Sequence, residues 1–319
     1  MSWGKGLLAL VFSIWILSAA VFCAARLAPG DPLLSFYGER AERLTAEERA
    51  QAEERLGLGD PLYVQYLRWL SGAVRGEFGV SYQYRTEVLT VIRGRVGNTL
   101  ALGGGAFLLI FFLAPLLGLV CARYEDQWPD RIVCRMGTIA GCVPEFCLSL
   151  LLILLFSVTL RLLPSGGAYS IGGGDPGDRM AHLVLPMTAV VFGHLWYYAY
   201  LVRGLLVEEA REDYVLLARA KGLSRRQVLT RHCLRCAAPS YLGAMALAVP
   251  HILGGTYVVE AVFAYPGLGS LAYESARYHD YNLLMVLCLL SGAVVMLCGM
   301  GARALGRRLD PRMGDAYGE

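Results

Sequence analysis

The chain has 319 residues, of which 56% are hydrophobic and 17% charged, with a formal net charge of +3. Soluble domains carry about 25% charged residues, and so small a net charge leaves no electrostatic footprint for nucleic acid. The charges lie almost entirely between long apolar runs, so their arrangement marks a polytopic membrane protein rather than a soluble one.

A helix that crosses the hydrocarbon needs about 20 mostly apolar residues. Six runs meet this, near residues 7–28, 99–122, 132–160, 182–207, 241–264 and 282–302. Lipid offers the backbone no partners, so each run is expected to be a helix. Strands of a barrel would be shorter and would alternate. The predicted fold class is therefore all-α, with six transmembrane helices in the lipid bilayer. The organisation expected is a first helix (1–28), an external segment (29–98) and a five-helix core (99–319). That core includes a cytoplasmic loop at 208–237 and a cytoplasmic tail at 303–319.

The first run follows Lys5 and has the look of a secretory leader. Its length, the lack of a small-x-small site after it and the further spans favour a retained helix. In the external segment, TAEERAQAEERLG (45–57) is a polar surface helix. Thr45 and Glu48 form a capping box and Gly57 supplies the stop. DPLYVQYLRWL (60–70) has aromatic and apolar residues at helical spacing and reads as an amphipathic helix at the membrane interface, where Tyr and Trp anchor well.

Orientation follows from Lys and Arg in the short loops. Arg211, Arg219, Lys221, Arg225, Arg226, Arg231 and Arg235 lie in the 208–237 loop, and four more arginines follow in the tail. The 123–131 loop adds Arg123 and Arg131, whereas the opposite side offers Arg161, Arg179 and Arg277. Both termini are thus expected in the cytoplasm of a cell whose inner membrane holds the chain. PSGGAYSIGGGDPGD (164–178) is a flexible external loop by composition.

Inside the runs, Pro115, Pro144, Pro186 and Pro250 are expected kink points. Ionisable groups within spans are functional hypotheses by default. The cases singled out are His194 (followed by Trp196, Tyr197 and Tyr198), His251 and Glu260. Each has a plainer alternative: a helix-to-helix hydrogen bond for either histidine, and a membrane-surface position capping or pairing with Arg277 for Glu260. The nine cysteines fall mostly in spans as small apolar residues. Cys233 and Cys236 make one CxxC, too little for a metal site, so no metal is expected.

EEAREDYVLLARAKGLSRRQVLTRH (208–232) reads as helix, glycine turn, helix. Gly222 permits the left-handed stop and Ser224 caps the restart. Leu216, Leu217, Ala218 and Ala220 form an apolar tip ringed by charge, the pattern of a protein-docking knob.

This stretch resembles the cytoplasmic coupling loop of permease subunits of ATP-binding-cassette importers, most of all the peptide and nickel branch. The residues that carry it are Asp213-Tyr214-Val215, then Ala218-Arg219-Ala220-Lys221-Gly222-Leu223, then His232, Leu234-Arg235 and Pro239. Further elements come in family order: APGDP (28–32), LGLGDPLYVQYLRWL (56–70), RGEFGVSY (75–82), GNTLAL (97–102), GGTYVVEAVFAYPGLGSL (254–271), His279-Asp280-Tyr281 and LDPR (309–312). Two departures stand out. Leu216 occupies the place where the general motif has an acid, as is usual in this branch, and Cys236 replaces the Asn after Leu-Arg.

The resemblance implies an importer permease of type I fold that forms half of a path for peptides or nickel. The implied partners are two cytoplasmic ATPase subunits, a second homologous permease and an extracytoplasmic binding protein. The hairpin would be the lever, with Asp213, Tyr214, Leu217 and the 218–223 stretch seated in the ATPase. Arg219, Lys221, Arg225 and Arg226 would meet acidic groups of that partner or lipid phosphates. His194, Tyr197, His251 and Glu260 would line the path. Pro266, Gly267 and Gly269 in AYPGLG would turn the chain at the outer mouth. The only lysines are Lys5 and Lys221 and neither stands in GxxxxGK[ST]. No catalytic residues and no cofactor are therefore expected in this chain. The alternative is a secondary transporter, which would show repeats and broken helices around an ion site.

Overall fold

The computed structural model describes residues 3–27, 33, 44–55 and 59–309. Gly57 and the 28–32 and 310–312 motif residues lie outside them. The first apolar run is helix α1 (Trp3–Leu27). Leu8, Val11, Phe12, Trp15 and Ile16 are exposed on it, as suits a helix facing lipid. The polar helix α2 (Ala46–Arg55) comes next. Its cap is as the residues dictate: the Thr45 N–H donates to Glu48 (2.8 Å), and the Glu48 N–H donates back to the Thr45 hydroxyl (3.3 Å). The amphipathic stretch is α3 (Leu62–Val74). Its Tyr66 and Trp69 pack on Phe22 of α1, with the Phe22 and Tyr66 rings edge to face at 5.3 Å. The Tyr66 hydroxyl also lies 2.8 Å from that of Ser18.

Helix α4 (Val88–Arg123) contains one π-helical turn at Leu100–Gly104. Leu102, Ala106, Ile110, Ala114, Gly118 and Ala122 recur every fourth residue and are all buried. Small residues on such a stripe let helices approach closely. They do so against α7 (Pro176–Glu209): a Cβ on Gly118 would meet Val202 Cγ1 at 2.6 Å.

The third apolar run departs from expectation. In place of one helix over 132–160 there are two, α5 (Trp128–Cys142) and α6 (Glu145–Thr159), bent by 100°. Pro144 is the cause. It lacks an N–H and disfavours the helical conformation in the residue before it, and Val143 is extended at φ −95, ψ 114. Among the described residues, five helices are long and apolar enough to cross a membrane by themselves; the bent pair makes a sixth span if it counts as one. Pro115, Pro186 and Pro250 lie within continuous helices.

The 164–178 loop is irregular, and Asp178 organises it. Its carboxylate accepts from the Ser170 N–H and hydroxyl and from the Gly174 N–H. Gly167 N–H donates to the Phe263 carbonyl at 2.9 Å. Beyond α7 come α8 (Asp213–Ala220) and α9 (Arg225–Val262), a 38-residue helix. Next is α10 (Leu268–Arg277), where the residues suggested no more than an outer turn. The chain then forms α11 (Tyr281–Leu309).

The chain divides into two compact units. One comprises Met1–Gly97 with Pro266–Met296; the other comprises Asn98–Tyr265 with Leu297–Glu319. In the first, Val88, Ile92, Leu271, Leu283 and Leu287 form a core. Asp280 is fully buried there and accepts from the Ser81 hydroxyl, the Gln83 N–H and the Leu283 N–H. In the second, α4, α7 and α9 surround the larger core.

Candidate functional site

The hairpin is built by local chemistry. Helix α8 ends at Gly222, whose φ of +84° is left-handed, a conformation that costs any residue with a Cβ about 1 kcal/mol or more. The Gly222 N–H donates to Arg219 at 2.9 Å and the Leu223 N–H reaches back to Ala218 at 3.3 Å. Together these are the two bonds of a Schellman stop. One residue later Ser224 caps α9 through a capping box with Gln227. Two helices are thus held at a fixed angle by a short connection.

The apolar tip is divided. Leu216 and Leu217 are 63% and 59% exposed, and Asp213, Arg219, Ala220, Lys221 and Gly222 are exposed beside them. Ala218, expected in the tip, is 7% exposed and packs inward with Val215 and Leu223. Tyr214 also turns in and donates to Glu209 at 2.6 Å. Burial, then this carboxylate, pushes its phenol well above the ordinary value.

Arg225, with its side chain 43% exposed, also binds within the chain. Its guanidinium donates to the Ala122 carbonyl at 2.8 Å, on the last turn of α4, and to Glu125 at 3.2 Å. Cations suit helix C-termini. Glu125 also takes Arg211 at 3.3 Å. Next to this cluster Arg203 grips Asp130 with two parallel bonds, to Oδ1 and to Oδ2, the strong bidentate geometry. The hairpin is therefore tied to the end of α4 and to Glu125 in the loop after it, and α7 is tied to the start of α5 through Arg203, attachments whose partners are too far apart in sequence to be read from it.

Glu260 is fully buried and accepts from the Thr99 hydroxyl at 2.8 Å. His194 is half-buried, with Nδ1 3.1 Å from the Val190 carbonyl and 3.3 Å from a Glu145 oxygen. Tyr197 is 66% exposed. His251 is exposed on an outward stripe of α9 with Leu247, Gly254 and Val258. The structure thus brings together His194 and a residue that sequence reasoning passes over, Glu145. Its signal is present: a carboxylate directly after Pro144 inside an apolar run. In the first unit, Gly267 and Gly269 are buried and the Gly267 N–H donates to Ser270 Oγ at 3.1 Å at the start of α10. Cys233 is buried and Cys236 exposed. Among the described residues no group of three or more His, Cys, Asp or Glu is placed to hold a metal.

Residues 114–315 match the family described as the binding-protein-dependent transport system inner membrane component. Over 306 residues the chain is 32% identical to the oligopeptide transport system permease protein AppB of Bacillus subtilis, covering 95% of each. It is 31% identical to the oligopeptide permease protein OppB of Salmonella typhimurium over 94% of this chain and 95% of that one. It is 33% identical to the glutathione transport system permease protein GsiC of Escherichia coli over 96% of each. Among solved structures, a chain of the inward-facing MetNI methionine ABC transporter superposes with a TM-score of 0.57 at 18% identity, covering 70% of this chain and 97% of that one; that likeness concerns the fold. With apolar helices that span the membrane and family elements along nearly its whole length, the chain belongs to the inner-membrane permease subunits of binding-protein-dependent ATP-binding-cassette importers.

Proposed function

We propose that this permease forms half of a translocation path for short peptides and that its 208–232 hairpin is the seat of an ATPase subunit. The cargo follows from relatives named for oligopeptides and for glutathione, itself a peptide. Nickel, the other cargo of the resemblance, has no such support. One observation carries the docking: a rigid knob whose exposed Leu216 and Leu217 stand beside Arg219 and Lys221. Apolar residues with no reason to face water, rimmed by charge, suit a protein interface. Asp213, Ala220 and Gly222 complete the exposed rim. Ala218, Leu223 and Tyr214 hold the knob from inside, and Arg225 braces it against α4.

The rest of the machine follows from that seat. One hairpin engages one ATPase, so a second homologous permease completes the path and engages the other. ATP is hydrolysed in those partners, and an extracytoplasmic binding protein delivers the peptide. Closure of the ATPase pair would push the knob, and α7 and α9, which flank it, would move with it as rigid bodies. Pro266, Gly267 and Gly269 turn the chain outside the membrane.

The test is co-purification with the tagged ATPase, wild type against Gly222→Glu. Nothing lies within 4 Å of a Cβ added at Gly222, so the substitution acts on the turn and the docking surface, not on packing. Wild type is expected to be captured and the variant lost, with peptide uptake lost in parallel. Capture and uptake by the variant equal to wild type would sink the docking role.

A further inference from the structure

We propose that Glu145, backed by His194, is an intramembrane subsite for the α-ammonium of the peptide in transit. This rests on the peptide reading above. Three elements of one unit converge there: the first turn of α6, the middle of α7, and α9 at Gly255. Glu145 is positioned by the break at Pro144, at a helix N-terminus that favours a negative charge.

The carboxylate is poorly satisfied for its setting. Its one ion-pair partner among the described residues is His194, whose Nδ1 also lies 3.1 Å from the Val190 carbonyl, closer than its 3.3 Å to Glu145. One nitrogen shared between two acceptors leaves most of the capacity of a carboxylate, about four lone-pair sites, open. Both side chains are also accessible, Glu145 at 24% and His194 at 17%. An accessible, half-satisfied carboxylate facing hydrocarbon is costly; such groups face a water-filled path and mark where a substrate passes.

Two glycines let the α7 and α9 backbones approach the carboxylate closely. A Cβ on Gly255 would sit 3.1 Å from both Glu145 oxygens and 2.9 Å from His194 Cε1. One on Gly193 would sit 3.0 Å from Glu145 Oε1. These two backbones hold the carboxylate in place, and a cation meets it on the face that stays accessible. Exposed Tyr197, one turn along α7 from His194, offers an aromatic face of the kind that attracts ammonium groups. Glu145 and His194 supply two metal donors, and no larger donor group occurs among the described residues. The chemistry therefore fits a primary ammonium with three N–H donors, as unblocked peptides carry unless they begin with proline, better than a metal ion.

The experiment uses the complete transporter in vesicles with its binding protein. Uptake is measured for one peptide with a free amino terminus and for its N-acetylated form, by wild type and Glu145→Gln. The binding protein is the same in all four combinations, so its own preference cancels in the ratio. Loss of a charge-assisted contact predicts about a tenfold fall for the free-amine peptide and little change for the acetylated one. Glu145→Asp, which keeps the charge, should retain part of the difference. Equal falls for both peptides would reduce Glu145 to a structural part, and no fall for either would also overturn the subsite. Wild-type vesicles that move neither peptide would overturn the peptide reading itself, and the subsite with it.

Discussion

Asp130 and Glu145 are carboxylates on the two helices of one bent pair, and the fold treats them oppositely. Asp130 in α5 has a side chain 3% exposed, held by both arms of Arg203 and by the Asp126 N–H at 2.9 Å. Glu145 in α6 is 24% exposed and shares one imidazole nitrogen with a backbone carbonyl. A carboxylate whose acceptors are filled is part of the frame. One left partly open is a place for something the chain does not itself contain.

The comparison can be broken most sharply at Arg203. Arg203→Ala leaves Asp130 buried without its partner, which should cost about 3 kcal/mol or more and lower the thermal midpoint of the detergent-solubilised protein by several degrees. Adding Asp130→Asn should recover part of the loss. A single variant that melts with wild type would show that the pair is not structural. Arg225→Ala should cost about 1 kcal/mol, because its contacts with Ala122 and Glu125 are partly exposed. Its larger effect is expected on coupling, seen as ATP hydrolysed per peptide imported. Glu145→Gln should shift the midpoint by the equivalent of less than about 1 kcal/mol, although it impairs transport. A large destabilisation there would place Glu145 with Asp130 and erase the distinction. Arg211→Ala is the smallest case, about 0–0.5 kcal/mol, since its side chain is 76% exposed.

The first unit offers a carboxylate engaged by a phenol. Glu274 accepts from the Tyr84 hydroxyl at 2.8 Å. Burial first, then that bond, pushes the Tyr84 phenol up from 10.0 to about 12. The folded value lies above the unfolded one, so this contribution is fully present below pH 10 and is lost as pH rises through about 12. The difference in ultraviolet absorbance between wild type and Tyr84→Phe should therefore show one phenol ionising near pH 12. Ionisation near pH 10 would mean that the contact is absent in solution.

Several features are legible in the sequence because they rest on neighbours in the chain. The Thr45–Glu48 cap, the Gly222 stop and the Ser224 cap each depend on residues within a few positions, whose backbone chemistry is nearly independent of the rest. The third span reads as one helix although Pro144 is visible, because a proline within a span is compatible with a kink as well as with a break. The backbone on either side of Pro144 makes it a break: Val143 is extended and α6 starts afresh at Glu145. Glu260 draws attention as the membrane carboxylate, yet Thr99 engages it inside the core.

The sequence by itself determined which segments are apolar enough to cross the membrane, on which side the basic hairpin falls, and that the hairpin turns at Gly222. Hydrophobicity, charge and left-handed turns are properties of single residues and short windows. Only the tertiary structure decided which charges are matched. Arg203 reaches Asp130 across 73 positions and Arg225 reaches Ala122 across 103. Glu145 meets His194 because α6 and α7 pack together. Such pairings depend on how helices cross, which is set by the sum of many small contacts over the whole core, and no local pattern encodes that sum.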